Sequence, residues 1–295
     1  MSVVTSLTAV PNRMVIVWKY LMVTEKTGIN ESELARLLRP TSLQRRQGDS
    51  DEDRSATMVN EVLSEMQALG IVKRDKGGKI TLKSIISDGD NGKFLEYVEK
   101  RLLDPEIADK HGQGRFPGAL VWFLVQDPTY PLKWSQNYIE QIEADCGANT
   151  SAFDLTDVAR FQQFAYWARY LGFAWRLELP DINVVFPDPT AAIVRHLPLV
   201  VAGQSQRPIQ DVMNELANRL PVLEGGSARL AVESNLSPEK RRPEGQLSRS
   251  TSIALERLEV SGRLYMERIA DAPAINLDTI SGLRPVSHLT WQEIR

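Results

Sequence analysis

The 295-residue chain has one cysteine, Cys146, and only three histidines, His111, His196 and His288. One thiol closes no internal disulfide, and with three scattered imidazoles it makes no zinc site, so a disulfide scaffold and a zinc fold are both excluded and a reducing, cytoplasmic setting is expected. Long apolar runs are scarce too. The longest strongly apolar stretch without a charge, Gly118–Gln126, is about half of what a bilayer helix needs. The apolar opening to Tyr20 is broken by Arg13 and Lys19 and leads to no small-residue cleavage site, so no signal peptide is read. An excess of one charge is also missing: 35 Lys and Arg face 38 Asp and Glu, a net of −3, so any polyanion site has to be local.

The motifs of common chemistries are missing as well. There is no P-loop, dinucleotide fingerprint or Gly-x-Ser-x-Gly elbow. Asp88-Gly89-Asp90-Asn91 lacks the glutamate of a calcium loop and reads as a turn. Pro180-Asp181 and Pro187-Asp188 are not followed by the Glu-x-Lys of a nuclease signature. Cys146 reads as a small buried hydrophobe. No enzyme, cofactor, metal or small-molecule substrate is expected.

What is present is a balanced globular composition, 42% hydrophobic and 25% charged, long enough for two or three domains. Met14, Val17, Trp18, Leu21 and Met22 recur at helical spacing from Asn12. Asn30, with Glu33 three residues on, opens a second helix that carries Leu34, Leu37 and Leu38 and ends at Pro40. Ser55 opens a third, with a buried stripe of Val59, Val62, Leu63, Met66 and Leu69 closed by Gly70. Ile71-Val72 and Ile80-Thr81-Leu82 then flank a Gly-Gly turn, a β-hairpin. Three helices and a hairpin make a winged helix-turn-helix. Its wing is basic: Lys73, Arg74, Lys76, Lys79 and Lys83 against Asp75. Glu61 and Glu65 on the third helix would face phosphates, which opposes base reading there. Pro40–Arg54 reads as a solvated loop.

The pattern returns at the end of the chain. Ser248 caps a helix to Ser261, Leu264–Ile269 reads as a strand, and Ala274–Leu277 as its return across an Asp271–Pro273 turn. Arg249, Ser250, Thr251 and Ser252 at the helix front, with Arg257 further on, are residue types that bond phosphates and base edges, so this is the strongest DNA candidate. The competing reading is a solvated helix with arginines paired to Glu256, Glu259 and Glu267. A weaker central copy runs from the helix Leu155–Gly172 into two strand-like runs around Pro180-Asp181. Seven of the 21 aromatics fall between Phe161 and Trp175; they read as core, with base stacking the alternative. Asp88–Gly118 reads as a connector with a helix around Phe94–Leu103, Ala202–Pro208 as a linker and Glu233–Gln246 as an exposed loop. Net charge is +3 over 1–86, −7 over 87–224, +2 over 225–269 and −1 over 270–295.

Ser252–Leu264, the Ala270-Asp271-Ala272 turn, Val286–Leu289 and the opening Leu7–Pro11 resemble DpdG, a bacterial family from gene clusters that install 7-deazaguanine derivatives in DNA and restrict unmodified invaders. The resemblance implies an accessory restriction component that works with other cluster proteins, and it carries over no catalytic residue. The expected fold is mainly α with small β-hairpins (α+β): winged helices at 1–86 and 203–295 around a helical, winged-helix-like middle at 87–202. The expected role is non-catalytic DNA-backbone binding and assembly in a multiprotein complex, away from membranes. A pure protein adaptor and a transcription regulator are the rivals.

Overall fold

The apolar repeat that opens the chain lines one side of α1 (Pro11–Val23), where Met14, Val17, Trp18 and Leu21 are buried. The computed structural model describes residues 2–23, 28–38, 51–83, 90–147, 151, 153–201 and 206–292, and of 51–57 the backbone alone. After α1 come β1 (Ile29–Asn30), α2 (Glu31–Leu37), α3 (Asp51–Ala68), β2 (Val72–Arg74) and β3 (Lys79–Leu82). The three strands form an antiparallel sheet in the order β1-β3-β2, with Ile29 opposite Ile80 and Arg74 also opposite Ile80 from the other side. Helix α3 begins four residues before Ser55, so Asp51–Arg54 belong to the helix and not to the preceding loop. Acidic residue types are those a helix start favours. Pro40 lies outside the described residues.

Two helices follow, α4 (Asn91–Leu103) and α5 (Pro105–Lys110), joined at Asp104, which caps α5 by accepting from Glu106 and Ile107 N–H. Asp90 caps α4 in the same way, accepting from Gly92 N–H at 2.7 Å; Asp88 and Gly89 lie outside the described residues.

The first unit's order then recurs. It is seen in α6 (Phe116–Leu124), β4 (Leu132–Lys133), α7 (Ile139–Cys146), α8 (Val158–Tyr170), β5 (Ala174–Leu179) and β6 (Ile182–Pro187), with strands ordered β4-β6-β5. It is seen again, with one additional helix, in α9 (Thr190–Val200), β7 (Arg207–Pro208), α10 (Ile209–Arg219), α11 (Ser227–Glu233), α12 (Arg249–Val260) and β8 (Leu264–Glu267). In this third copy a hairpin of β9 (Ile275–Thr279) and β10 (Gly282–Val286) precedes β11 (His288–Trp291), and the sheet order is β7-β11-β8. In each copy the last strand lies between the short first strand and the middle one.

This corrects the return strand expected at Ala274–Leu277. Strand β8 pairs with β11, Met266 opposite Leu289, while Ile275–Thr279 pairs with β10. Gly282, at φ +113°, and the Thr279 hydroxyl, which donates to Gly282 O at 2.7 Å, close that hairpin locally before the chain can return to β8. The helix expected around Phe94–Leu103 in the Asp88–Gly118 connector is present as α4, and the segment also holds α5 and the start of α6. All nine residues of α6 but Gly118 are buried.

One continuous cluster of buried apolar residues runs from Val3 to Leu289. Gln163 of α8 reaches the opening of the chain, its Nε2 donating to the carbonyls of Val3, Ser6 and Ala9 at 2.9, 3.0 and 3.1 Å. Trp167 Nε1 adds a bond to Ala9 O at 3.0 Å. Among the described residues no helix is long and apolar enough to cross a membrane.

Candidate nucleic-acid interface

The period of α3 decides which of its side chains are free. Val59, Val62, Leu63, Met66 and Leu69 are buried, as the apolar stripe requires. Glu61 and Glu65 turn inward as well, contrary to the expectation that they face phosphates. Glu65 is 1% exposed and accepts from Ser6 Oγ at 2.7 Å and Gln113 Nε2 at 3.2 Å, and Glu61 accepts from Thr8 Oγ1 at 2.5 Å. The N-terminal segment therefore covers both carboxylates. Among the described side chains of α3, Asn60 and Gln67 are exposed, and Ser64 is half-buried between them. At i, i+4 and i+7 they lie along one face. Asparagine, serine and glutamine are donor–acceptor side chains of the kind that read base edges.

Helix α3 runs through Leu69 and Gly70, at φ +71°, into the β2–β3 hairpin. Asp75 holds the hairpin turn by accepting from Gly77 N–H at 2.8 Å and Lys79 N–H at 2.9 Å. Lys73, Lys76 and Lys79 are exposed. Arg74, also on the surface, is tied to Glu31 at 2.9 Å, and Lys83 is half-buried. Of the five expected wing cations, Lys73, Lys76 and Lys79 thus point into solvent with no carboxylate partner among the described residues, whereas Arg74 has one.

The C-terminal candidates are placed differently. Ser250, Thr251 and Ser252 are at most 1% exposed. Ser250 Oγ donates to Leu124 O at 2.6 Å, Thr251 Oγ1 to Glu224 Oε2 at 2.9 Å, and Ser252 Oγ accepts from Asp278 N–H at 2.9 Å. Their hydroxyls hold α12 against α6, Glu224 and β9, so the expected groove contact is corrected. Arg249 lies between Asp127 at 2.7 Å and Asp278 at 3.0 Å. Its pKa is raised, chiefly by the Asp278 hydrogen bond, and it is half-buried. Arg257 is exposed but bonded to Asp188.

The central aromatics are core. Phe161, Phe164, Trp167 and Phe173 are fully buried, whereas Tyr166 and Trp175 are exposed. The three histidines stay apart: His111 Nδ1 meets Ala68 O, His196 Nε2 meets Glu99, and His288 lies beside Ser287. Cys146 is buried, and burial pushes its thiol up to about 12, with Asp145 adding to the effect. Among the described residues no group of three or more His, Cys, Asp or Glu side chains is arranged to hold a metal.

The stripe on α3 escaped the sequence reading, although its signal was available: positions opposite the apolar stripe are fixed by the helical period. The cover over Glu61 and Glu65 carried no such signal, because it comes from residues more than fifty positions away.

A mixed fold of helices and small antiparallel sheets, with one exposed polar helix face beside a basic hairpin, defines the class. A family model described as DpdG-like matches residues 1–272, and the chain belongs to that family. Membership points to a role in the Dpd 7-deazaguanine modification system. No curated protein and no solved structure matches the chain.

Proposed function

We propose that the chain is a non-catalytic, cytoplasmic subunit of a multiprotein DNA-modification and restriction assembly. In this reading each of the three repeats is a winged helix, and the first one meets DNA. Asn60, Ser64 and Gln67 enter the major groove, and Lys73, Lys76 and Lys79 hold the backbone beside it. The observation that carries the reading is the neutral polar stripe of Asn60, Ser64 and Gln67 on α3, with Glu61 and Glu65 turned inward, in a unit whose hairpin carries three exposed lysines without a carboxylate partner among the described residues. The matching helices of the other units support it by contrast. Helix α8 exposes only Ala159, Tyr166 and Arg169, and α12 only Arg257 and Val260, so those units serve as scaffold and as surfaces for partner subunits.

Titration of labelled duplex DNA at several salt concentrations tests this. Affinity falls steeply with salt, and replacing Lys73, Lys76 and Lys79 by alanine flattens the log–log slope by about 0.9 for each phosphate no longer neutralised. An unchanged slope would reject the wing assignment. No DNA retention at low salt, together with stoichiometric co-purification of a protein partner, would select the adaptor reading. A symmetric dimer on one preferred operator would select a transcription regulator.

A further inference from the structure

A second cationic site lies on the far part of the chain, where nothing in the DNA reading requires one. The segment after α11 folds back through a short 3₁₀ turn at Pro238–Lys240, and a cavity of about 350 Å³ opens between it, the start of α12 and Asp278. That volume falls within the roughly 300–1,000 Å³ of small-ligand sites. Arg229, Lys240, Arg241, Arg242 and Arg249 line it, against Asp127, Glu239 and Asp278.

Most of this charge is already committed, which narrows the site to a few donors. Arg249 is held by Asp127 and Asp278. Arg242 gives Nε to Glu233 and Nη1 to Gln246 O. Arg229 is 1% exposed; its Nε donates to Glu233 at 2.7 Å and its Nη2 lies 3.5 Å from Glu224. The two carboxylates fix the plane of the Arg229 guanidinium, and its Nη1, buried, has no hydrogen-bond partner among the described residues. Buried donors are nearly always paired, and a charged one more so than others. Arg241 sits at the mouth with Nε on Leu236 O, and Lys240 places Nζ on Gln126 at 2.8 Å, 3.9 Å from Asp145. A guanidinium in the cavity wall, fixed by two carboxylates and left with one unpaired amino group, together with the cations of Lys240 and Arg241, is suited to a tetrahedral oxyanion.

We infer that this cavity binds a phosphoryl group, presented either by a free mononucleotide or by the end of a DNA strand. Calorimetric titration of the full chain tests it with inorganic phosphate, a deoxynucleoside monophosphate, the matching nucleoside, and a short oligonucleotide with and without a 5′-phosphate. Saturable one-to-one binding is expected for the phosphorylated probes only, weakened at least about tenfold in a K240A/R241A variant that melts like the wild type. These two side chains are on the surface side, so the variant avoids the folding loss that replacing Arg229 risks. Preference for the monophosphate identifies a nucleotide ligand, and preference for the 5′-phosphorylated oligonucleotide identifies a strand end. Absence of saturable binding, equal binding of the nucleoside, or full affinity in K240A/R241A overturns the inference. Loss of duplex binding in the Lys73, Lys76 and Lys79 variant leaves it standing, so the two readings fail separately.

Discussion

Single side chains separate reading DNA from holding it. Asn60 and Gln67 touch no core, so Asn60→Ala or Gln67→Ala leaves stability nearly unchanged and costs about 1–3 kcal/mol of discrimination between a preferred and an altered duplex, measured by competition binding. A variant that loses affinity equally for all sequences would contradict base reading by α3. Glu224 makes the opposite case, a polar group wholly inside. Burial pushes its pKa up, but the Arg229 charge and bonds from Ser248 outweigh that and hold it below its ordinary 4.5. The folded carboxyl therefore gives up its proton more easily than the unfolded one. Its contribution is complete above about pH 4.5 and is lost as pH falls through the lower folded value. Glu224→Gln lowers stability near neutrality by about 3–5 kcal/mol and flattens the acid limb, measured by urea melts across pH. An acid limb as steep as in the wild type would sink this account. Cys146, its thiol pushed up to about 12, resists alkylation at pH 8 in the native chain and reacts once the chain is unfolded.

At the scale of elements, local signals were readable and distant ones were not. The apolar periods of α1 and α3, the Asn30 start of α2 and the Gly-Gly hairpin all follow from neighbours in sequence, and the structure has them. The three hydroxyls at the front of α12 looked like a groove-facing turn because nothing nearby in sequence covers them; Leu124, Glu224 and Asp278 do so from elsewhere. Strands β1, β4 and β7 are two residues each, too short for a period of two to register, and they are what makes the three sheets alike. Two glycines separate backbone cost from packing cost. Gly78, at φ +76°, has open space where a Cβ would sit, while at Gly172, at φ +85°, a Cβ would lie 2.8 Å from Ala192 N. Gly78→Ala costs about 1–2 kcal/mol. Gly172→Ala adds the clash between the α8–β5 turn and α9, for about 2–5 kcal/mol in all, read from denaturant midpoints.

For the whole molecule, the three repeats are bound into one another by polar contacts as well as by the shared core. Gln163 and Trp167 of α8 hold the segment before α1, Arg249 and Ser250 of α12 reach Asp127 and Leu124 of the central copy, and Glu99 of α4, between the first two copies, meets Arg195 and His196 of α9. Thermal unfolding is accordingly expected as one transition reported alike by fluorescence and circular dichroism, and two resolved transitions would show that the copies are energetically separate. The bonds from Gln163 and Trp167 to the carbonyls of Val3, Ser6 and Ala9 bear on how the protein is made. Those carbonyls find their partners only after some 160 further residues have been joined, a wait of roughly 8–30 s at the pace of a ribosome, so this segment settles only once α8 has been made.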